Sequence, residues 1–186
     1  RDGVAVVNHD VDLKRLQKID LKVNEIAADE LWQKAQVSRL VDILRDPLVP
    51  EWVNIEIKSS SARDDGLEAA VAKAIKEARA EARVIVSSFN PFSLRRISNL
   101  LPEVPRALLV TEEKDPKNKI YLRKMWFAFL ARPHMLNLDQ AMVSKERMAE
   151  FNSRCIPIAT WTVNDAERAQ QLKSIGVKSL ISDVLD

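Results

Sequence analysis

The feature that most constrains this chain is a repeat. Six short apolar runs begin near residues 53, 83, 106, 135, 156 and 179, and stretches with helical spacing separate them. Strands that alternate with helices are joined by crossovers and pair in parallel, and a parallel sheet is covered on both faces, so its strands read as near-continuous apolar runs. The runs VIVSSF at 84–89 and RALLV at 106–110 have that character. The pattern predicts an α/β fold, a TIM (β/α)8-type barrel or a doubly wound sheet, as a single domain over residues 1–186. A closed barrel of this type needs eight units. Six are visible, so the barrel is expected to lack its first two strands.

The intervening segments follow from local chemistry. Residues 28–46 carry Leu31, Val37, Leu40, Val41 and Leu44 at helical spacing, with Pro47 as the stop. Residues 66–82 form a second amphipathic helix. Asn90 before Pro91, Ser144, and Asn164 paired with Glu167 are the expected helix caps, and Gly176 is an expected helix end. Residues 119–131 read as a helix whose Tyr121, Trp126, Phe127 and Phe129 pack in the core, and residues 112–119 as a solvated loop, with a lid as the alternative. Asp2-Gly3 before the run VAVV predicts a hairpin whose partner strand lies before Arg1. Together with an opening Arg rather than Met, this leads us to expect that the 186 residues are part of a longer chain.

The strand VNIEIK at 53–58 is the anomaly in the repeat. Alternation puts Val53, Ile55 and Ile57 on one face and Asn54, Glu56 and Lys58 on the other. An acid and a base thus stand two residues apart at a strand's carboxyl end, the end at which parallel α/β proteins bind ligands. A carboxylate can ligate a hard cation and an ammonium can meet phosphate oxygens; the alternative is an ion pair that ties down a sheet edge. Other polar residues near strand carboxyl ends are Ser87, Ser88, Asn137, Asp139, Trp161, Thr162, Asn164 and Asp183, most of them expected to cap loops. Trp161 offers an apolar wall for a carbon skeleton or, alternatively, packs the end of the barrel.

His9 ends the first run beside Asp10, which suits a proton-transfer residue held by a neighbouring acid. His134, at the opposite end of its strand, reads as structural. The sequence has no serine or cysteine nucleophile motif, glycine-rich phosphate loop or zinc-spaced cluster. Lys and Arg total 29 against 27 Asp and Glu and are scattered, which argues against a nucleic-acid partner. No apolar run reaches the roughly 20 residues that span a bilayer. Cys155 is the only cysteine, so no internal disulfide forms. A reducing compartment, the cytoplasm, is expected, with the periplasm left open.

Several of these segments match one family in order. DGVAVVNHD at 2–10, with Leu13 and Arg15, resembles the "DGxxVVxHDxxLxR" segment of glycerophosphodiester phosphodiesterases. NIEIK at 54–58 resembles their "NIEIK" strand, and VIVSSFNP at 84–91 their "SSFDP" turn. WTVND at 161–165 and ISD at 181–183 resemble their two closing strands. The resemblance implies a barrel enzyme that uses a divalent cation, Mg or Ca, to hydrolyse small glycerophosphodiesters to glycerol 3-phosphate and an alcohol, in glycerol and lipid metabolism. It implies His9 as the catalytic histidine that protonates the leaving alcohol, Glu56 as a metal ligand, Lys58 as a phosphate contact, and Phe89 and Trp161 as the lining of the glycerol pocket.

The family's "HRG", "ENT" and "ExD" motifs have no counterpart here and would precede Arg1. Two alternatives therefore stand beside the enzyme: a non-catalytic barrel that binds a ligand or partner, and a phospholipase D-like barrel acting at a membrane. The oligomeric state is left open.

Overall fold

A computed structural model describes residues 1–59, 61–114 and 125–184. The fold resolves into two compact units, one formed by Arg1–Val53 with Arg63–Val84 and the other by Asn54–Ala62 with Ile85–Asp186. Among the described residues no helix is long and apolar enough to cross a membrane.

In the first unit, Leu13, Ile26, Leu31 and Val37 form a buried cluster against which Val6, Ile19, Leu21 and Val23 pack. Helix α1 (Lys14–Gln17) is a single turn, followed by α2 (Ala28–Ala35) and α3 (Leu40–Arg45). The single helix expected over residues 28–46 is thus two. Gln36 adopts a left-handed conformation (φ 54°), which ends α2 and turns Val37 into the core at 3% exposure. The chain then runs extended long enough to meet the N-terminal segment, with Val7 N–H donating to Ser38 O (2.9 Å) and Leu40 N–H to Ala5 O (2.8 Å). Residues 4–7 form no strand; they contribute one antiparallel bridge, Val6 to Arg39. Asp2 Oδ2 accepts Ala28 N–H (2.9 Å), and that bond lowers the carboxyl's pKa.

Helix α4 (Leu67–Glu77) follows Gly66 (φ 85°) and buries Val71, Ala74 and Ile75. It stops short of residue 82 because Arg79 turns left-handed (φ 54°) and Ala80 N–H closes back on Ile75 O (3.0 Å). The guanidinium of Arg45 on α3 donates to Glu77 O (2.9 Å), and that of Arg83 donates to Leu44 O, which fastens the two helices end to end.

Strands β1 (Val53–Glu56), β2 (Val84–Ser88), β3 (Arg106–Val110), β4 (Met135–Asp139), β5 (Ile158–Trp161) and β6 (Ser179–Leu180), all but the first residues of β1 and β2 in the second unit, form one sheet in that order. The strands from β2 to β6 pair in parallel, as the apolar runs predict. Every residue of β3 is buried. Arg106 opens that strand at 5% exposure and is accommodated because its guanidinium donates to Val104 O (2.8 Å) and Pro102 O (3.3 Å).

Helix α5 (Pro91–Leu100) starts as expected, with Asn90 Oδ1 accepting Phe92 N–H (3.0 Å), and buries Leu94 and Ile97 completely. Each such side chain contributes roughly 1.5–3 kcal/mol on leaving water. Of the helix expected over residues 119–131, residues 119–124 lie outside the described residues and α6 (Ala128–Ala131) is the rest. Phe127 packs on Phe92 of α5 (centroids 5.8 Å), but Trp126 and Phe129 are 61% and 72% exposed, so the core-packing expectation fails for these two. Helix α7 (Lys145–Ser153) is capped by Ser144, whose Oγ accepts Arg147 N–H (3.2 Å). Helix α8 (Ala166–Ser174) is capped by Asp165 rather than Asn164, through Arg168 N–H to Asp165 Oδ1 (2.7 Å). At Gly176 (φ 101°), beyond the end of α8, the left-handed backbone favours glycine, and a Cβ there would have to displace the Asn152 side-chain amide, 2.8 Å away.

Candidate functional site

The candidate site is built on one face of the sheet in the second unit. Ile57 N–H donates to Ser87 O (2.7 Å), which sets the β1 segment beside β2 and puts Glu56 on the same face as Ser87. The register carries this face onward: Ser87 lies opposite Ala107, Leu109 opposite Asn137, Asn137 opposite Ala159, and Asp139 opposite Trp161. The other face holds Ile55, Ile57, Leu108, Leu136 and Leu138, all buried apolar positions, with the Ser88 hydroxyl satisfied by Ile57 O (2.7 Å). The polar side chains of that face are tied to backbone carbonyls: Thr160 Oγ1–H donates to Leu138 O (2.8 Å), and Arg106 to Val104 O.

Glu56 Oε1 and Lys58 Nζ stand 3.9 Å apart, each side chain about one-third exposed (35% and 36%). A pair this long and this wet is worth about 0–1 kcal/mol, so neither partner is committed to the other and both remain open to a ligand. Phe89 and Trp161 meet edge to face, with ring centroids 5.8 Å apart and planes at 89°. The Trp161 indole N–H donates to Asn137 O (3.0 Å), which fixes the ring over β4. Together these two rings form a rigid aromatic corner.

Several residues gathered from the sequence prove to be structural ties. Asp139 accepts Thr111 Oγ1–H (2.9 Å) and Ala141 N–H (2.9 Å), so both its oxygens are engaged. Asn164 Oδ1 accepts Asp183 N–H (2.9 Å) and the Ser182 hydroxyl (3.1 Å), while its amide nitrogen donates to Asp183 Oδ2 (3.2 Å), which is why the capping role falls to Asp165. His134 is structural, as expected: its Nδ1 accepts Arg106 N–H (3.1 Å), and burial, with Arg106 nearby, pushes its pKa down.

His9 belongs to the first unit. Its Nδ1 lies 2.7 Å from Asp10 Oδ1, and Arg15 grips the same carboxylate through Nε to Oδ2 (2.7 Å) and Nη2 to Oδ1 (3.1 Å). Arg15, then His9, hold the Asp10 carboxyl well below its ordinary range, at about 2. An ionised Asp10 beside Nδ1 orients the imidazole and leaves Nε2 for proton exchange. Arg15 was legible only as a spaced basic residue; the structure makes it the anchor of the His9-Asp10 pair.

Glu56 offers a hard cation one carboxylate, whereas Ca2+ takes six to eight oxygens and Mg2+ six. It suits one position in such a shell and leaves the others to further donors. Among the described residues, one group of three acids has carboxylate oxygens within 4.8 Å of one another: Asp64, Asp65 and Glu68, in the first unit. Asp64 and Asp65 accept the N–H groups of Gly66 and Leu67 there, which identifies them as the capping turn of α4. Of two surface hollows, one is lined by Trp32, Arg39 and Asp46 and the other by Val163, Ala169 and Leu180; neither is lined by Glu56, Lys58, Phe89 or Trp161.

A parallel sheet with helical crossovers and a ligand-competent acid and base at a strand's carboxyl end defines the class: a TIM-type α/β barrel, of which six strands lie among the described residues. The likeness to solved barrels is close. A phosphodiesterase from Oleispira antarctica, solved in complex with the product sn-glycerol-3-phosphate, superposes with a TM-score of 0.76 at 21% identity, over 97% of this chain and 76% of that one. In sequence, glycerophosphodiester phosphodiesterases from Bacillus altitudinis (27% identical; 100% of this chain, 80% of the relative) and Caldanaerobacter subterraneus (34% identical; 70% of this chain, 51% of the relative) align with it. The model of the glycerophosphoryl diester phosphodiesterase family matches residues 1–186, and the chain belongs to that family.

Proposed function

We propose that the protein hydrolyses glycerophosphodiesters to glycerol 3-phosphate and an alcohol, with a divalent cation, Mg or Ca, as cofactor. The observation that carries the reading is the union, on one sheet face, of the loosely paired Glu56 and Lys58 with the Phe89–Trp161 corner. That combination suits a ligand with a phosphate at one end and a short carbon skeleton at the other.

Lys58 would hold a phosphate oxygen and offset the negative charge that builds on it as water adds to phosphorus. Glu56 would supply one oxygen ligand to the cation, which when bound polarises the phosphoryl group. The Phe89 and Trp161 rings would exclude water from the glycerol carbons and orient them. His9 would deliver its proton to the alcohol oxygen as the P–O bond to that oxygen breaks, so that the alcohol departs neutral.

The test is direct. The full-length protein is incubated with glycerophosphoethanolamine and Mg2+ or Ca2+, and glycerol 3-phosphate release is followed in a coupled assay. Release that requires the metal and falls in Lys58→Met supports the reading. No release with either ion, or equal release from Lys58→Met, refutes it.

A further inference from the structure

Among the described residues, two buried polar atoms on the candidate face make no hydrogen bond: Ser87 Oγ and Asn137 Oδ1, in side chains that are 0% and 3% exposed. Buried polar groups in native proteins are nearly always paired, so each exception calls for a reason. Asn137 is the more informative. Its side-chain amide is engaged by no hydrogen bond in the structure, although its backbone carbonyl holds the Trp161 indole. In register it is flanked by Leu109 and Ala159. Neither of those neighbours offers a side-chain donor or acceptor. Leucine, of similar volume, would fill the position with no polar group to desolvate. The neighbouring strand positions are apolar, which makes the amide the exception in its layer.

We infer that the Asn137 side-chain amide reads a hydroxyl of the glycerol moiety and so makes the site selective for polyol over plain alkyl phosphodiesters. The inference rests on the phosphodiesterase reading and adds a residue and a specificity to it. An amide is suited to this task because its carbonyl accepts a hydroxyl proton while its NH2 group donates to a hydroxyl oxygen. It carries no charge to compete with Lys58 for phosphate. The placement agrees: Asn137 lies on β4 beneath the Trp161 ring, on the face that carries Glu56 and Lys58, so a glycerol chain packed along the aromatic corner has its polar edge directed to the sheet floor. A site that contains such an amide rejects the ligand that lacks the hydroxyl, because binding that ligand seals the amide away unpaired.

The experiment pairs two readouts on the full-length protein. Hydrolysis of glycerophosphoethanolamine is compared with that of n-propyl phosphoethanolamine, in which hydrogens replace both hydroxyls, for wild type, Asn137→Leu and Asn137→Ser. Wild type should favour the glycerol ester in kcat/KM by about tenfold to a hundredfold, Asn137→Leu should lose most of that ratio, and Asn137→Ser, smaller and still polar, should keep part of it. The second readout is thermal unfolding without ligand. Removing an unpaired amide should raise the melting temperature of Asn137→Leu by about 2–6 °C, the stability–selectivity trade expected of a residue kept for binding. A ratio unchanged in both variants overturns the inference, as does an Asn137→Leu protein that melts lower, since the amide would then be satisfied within the fold. If wild type hydrolyses neither ester, the phosphodiesterase reading is what fails, and calorimetric binding of glycerol 3-phosphate against n-propyl phosphate still decides the role of Asn137: equal affinities in wild type refute it.

Discussion

Asn90 tests how the segment that bears Glu56 and Lys58 is held. Its side chain does two jobs at 7% exposure: Oδ1 caps α5 by accepting Phe92 N–H (3.0 Å), and Nδ2 donates to Ser61 O (2.7 Å) in the segment just beyond Lys58. Loss of an N-cap costs about 1 kcal/mol, and loss of a neutral, largely buried hydrogen bond about another 1 kcal/mol. Asn90→Ala should therefore destabilise by about 2 kcal/mol. Asn90→Asp keeps the cap but cannot donate, so it should lose about 1 kcal/mol or somewhat more, since a carboxylate then faces the Ser61 carbonyl. Urea denaturation followed by circular dichroism gives the difference; with m near 2 kcal/mol/M, the midpoints should fall by about 1 M and about 0.5 M. The aspartate variant should also show a raised KM with little change in kcat, because Ser61 no longer pins the approach to Lys58. An Asn90→Asp midpoint equal to wild type, beside a clear loss in Asn90→Ala, would show that the Ser61 bond contributes nothing.

Glu56→Ala should weaken Mg2+ or Ca2+ binding measured by calorimetric titration of the full-length protein, and unchanged affinity would remove Glu56 from the ligand set. His9→Ala should lower turnover of glycerophosphodiesters by about two to four powers of ten, but less with a nitrophenyl ester, whose leaving group needs no proton; equal losses on both would rule out His9 as the leaving-group acid. Asp10 titrates at about 2 in the folded chain against an ordinary 3.8, chiefly because of Arg15. A depressed carboxyl favours folding above its unfolded pKa, and the benefit disappears as pH falls from about 4 through 2. Melting temperature followed from pH 6 to pH 2 should fall less steeply in Arg15→Gln than in wild type, whereas parallel curves would show that the pair adds no acid dependence.

The strands were legible because burial on both faces leaves a parallel strand little choice but apolar residues, and β3, buried throughout, is the extreme case. Asn90 and Ser144 were legible as caps because capping is local chemistry. The break at Gln36 was not, because a left-handed glutamine has no sequence signature; it is held by pairing between residues 38–40 and residues 5–7, far away in the chain. The choice of Asp165 over Asn164 as a cap was likewise settled at a distance, by the Asp183 loop that engages Asn164. Trp126 and Phe129 have the composition of core residues, and only the placement of α6 shows them facing solvent. At the site, two-residue alternation alone identified the Glu56–Lys58 pair. The contact between Phe89 and Trp161 depends on strand order and register, which no local pattern encodes. Asn137 was visible as a polar residue in an apolar run, but its lack of a partner is a property of its surroundings.

The graded burial of the sheet has a kinetic corollary. Amide hydrogens of β3, buried throughout and enclosed between paired neighbours, exchange with solvent only through large-scale opening. Asn137 is set on β4 directly beside that strand. The floor that would receive the carbon chain therefore stays still over the time in which a phosphate's bonds rearrange.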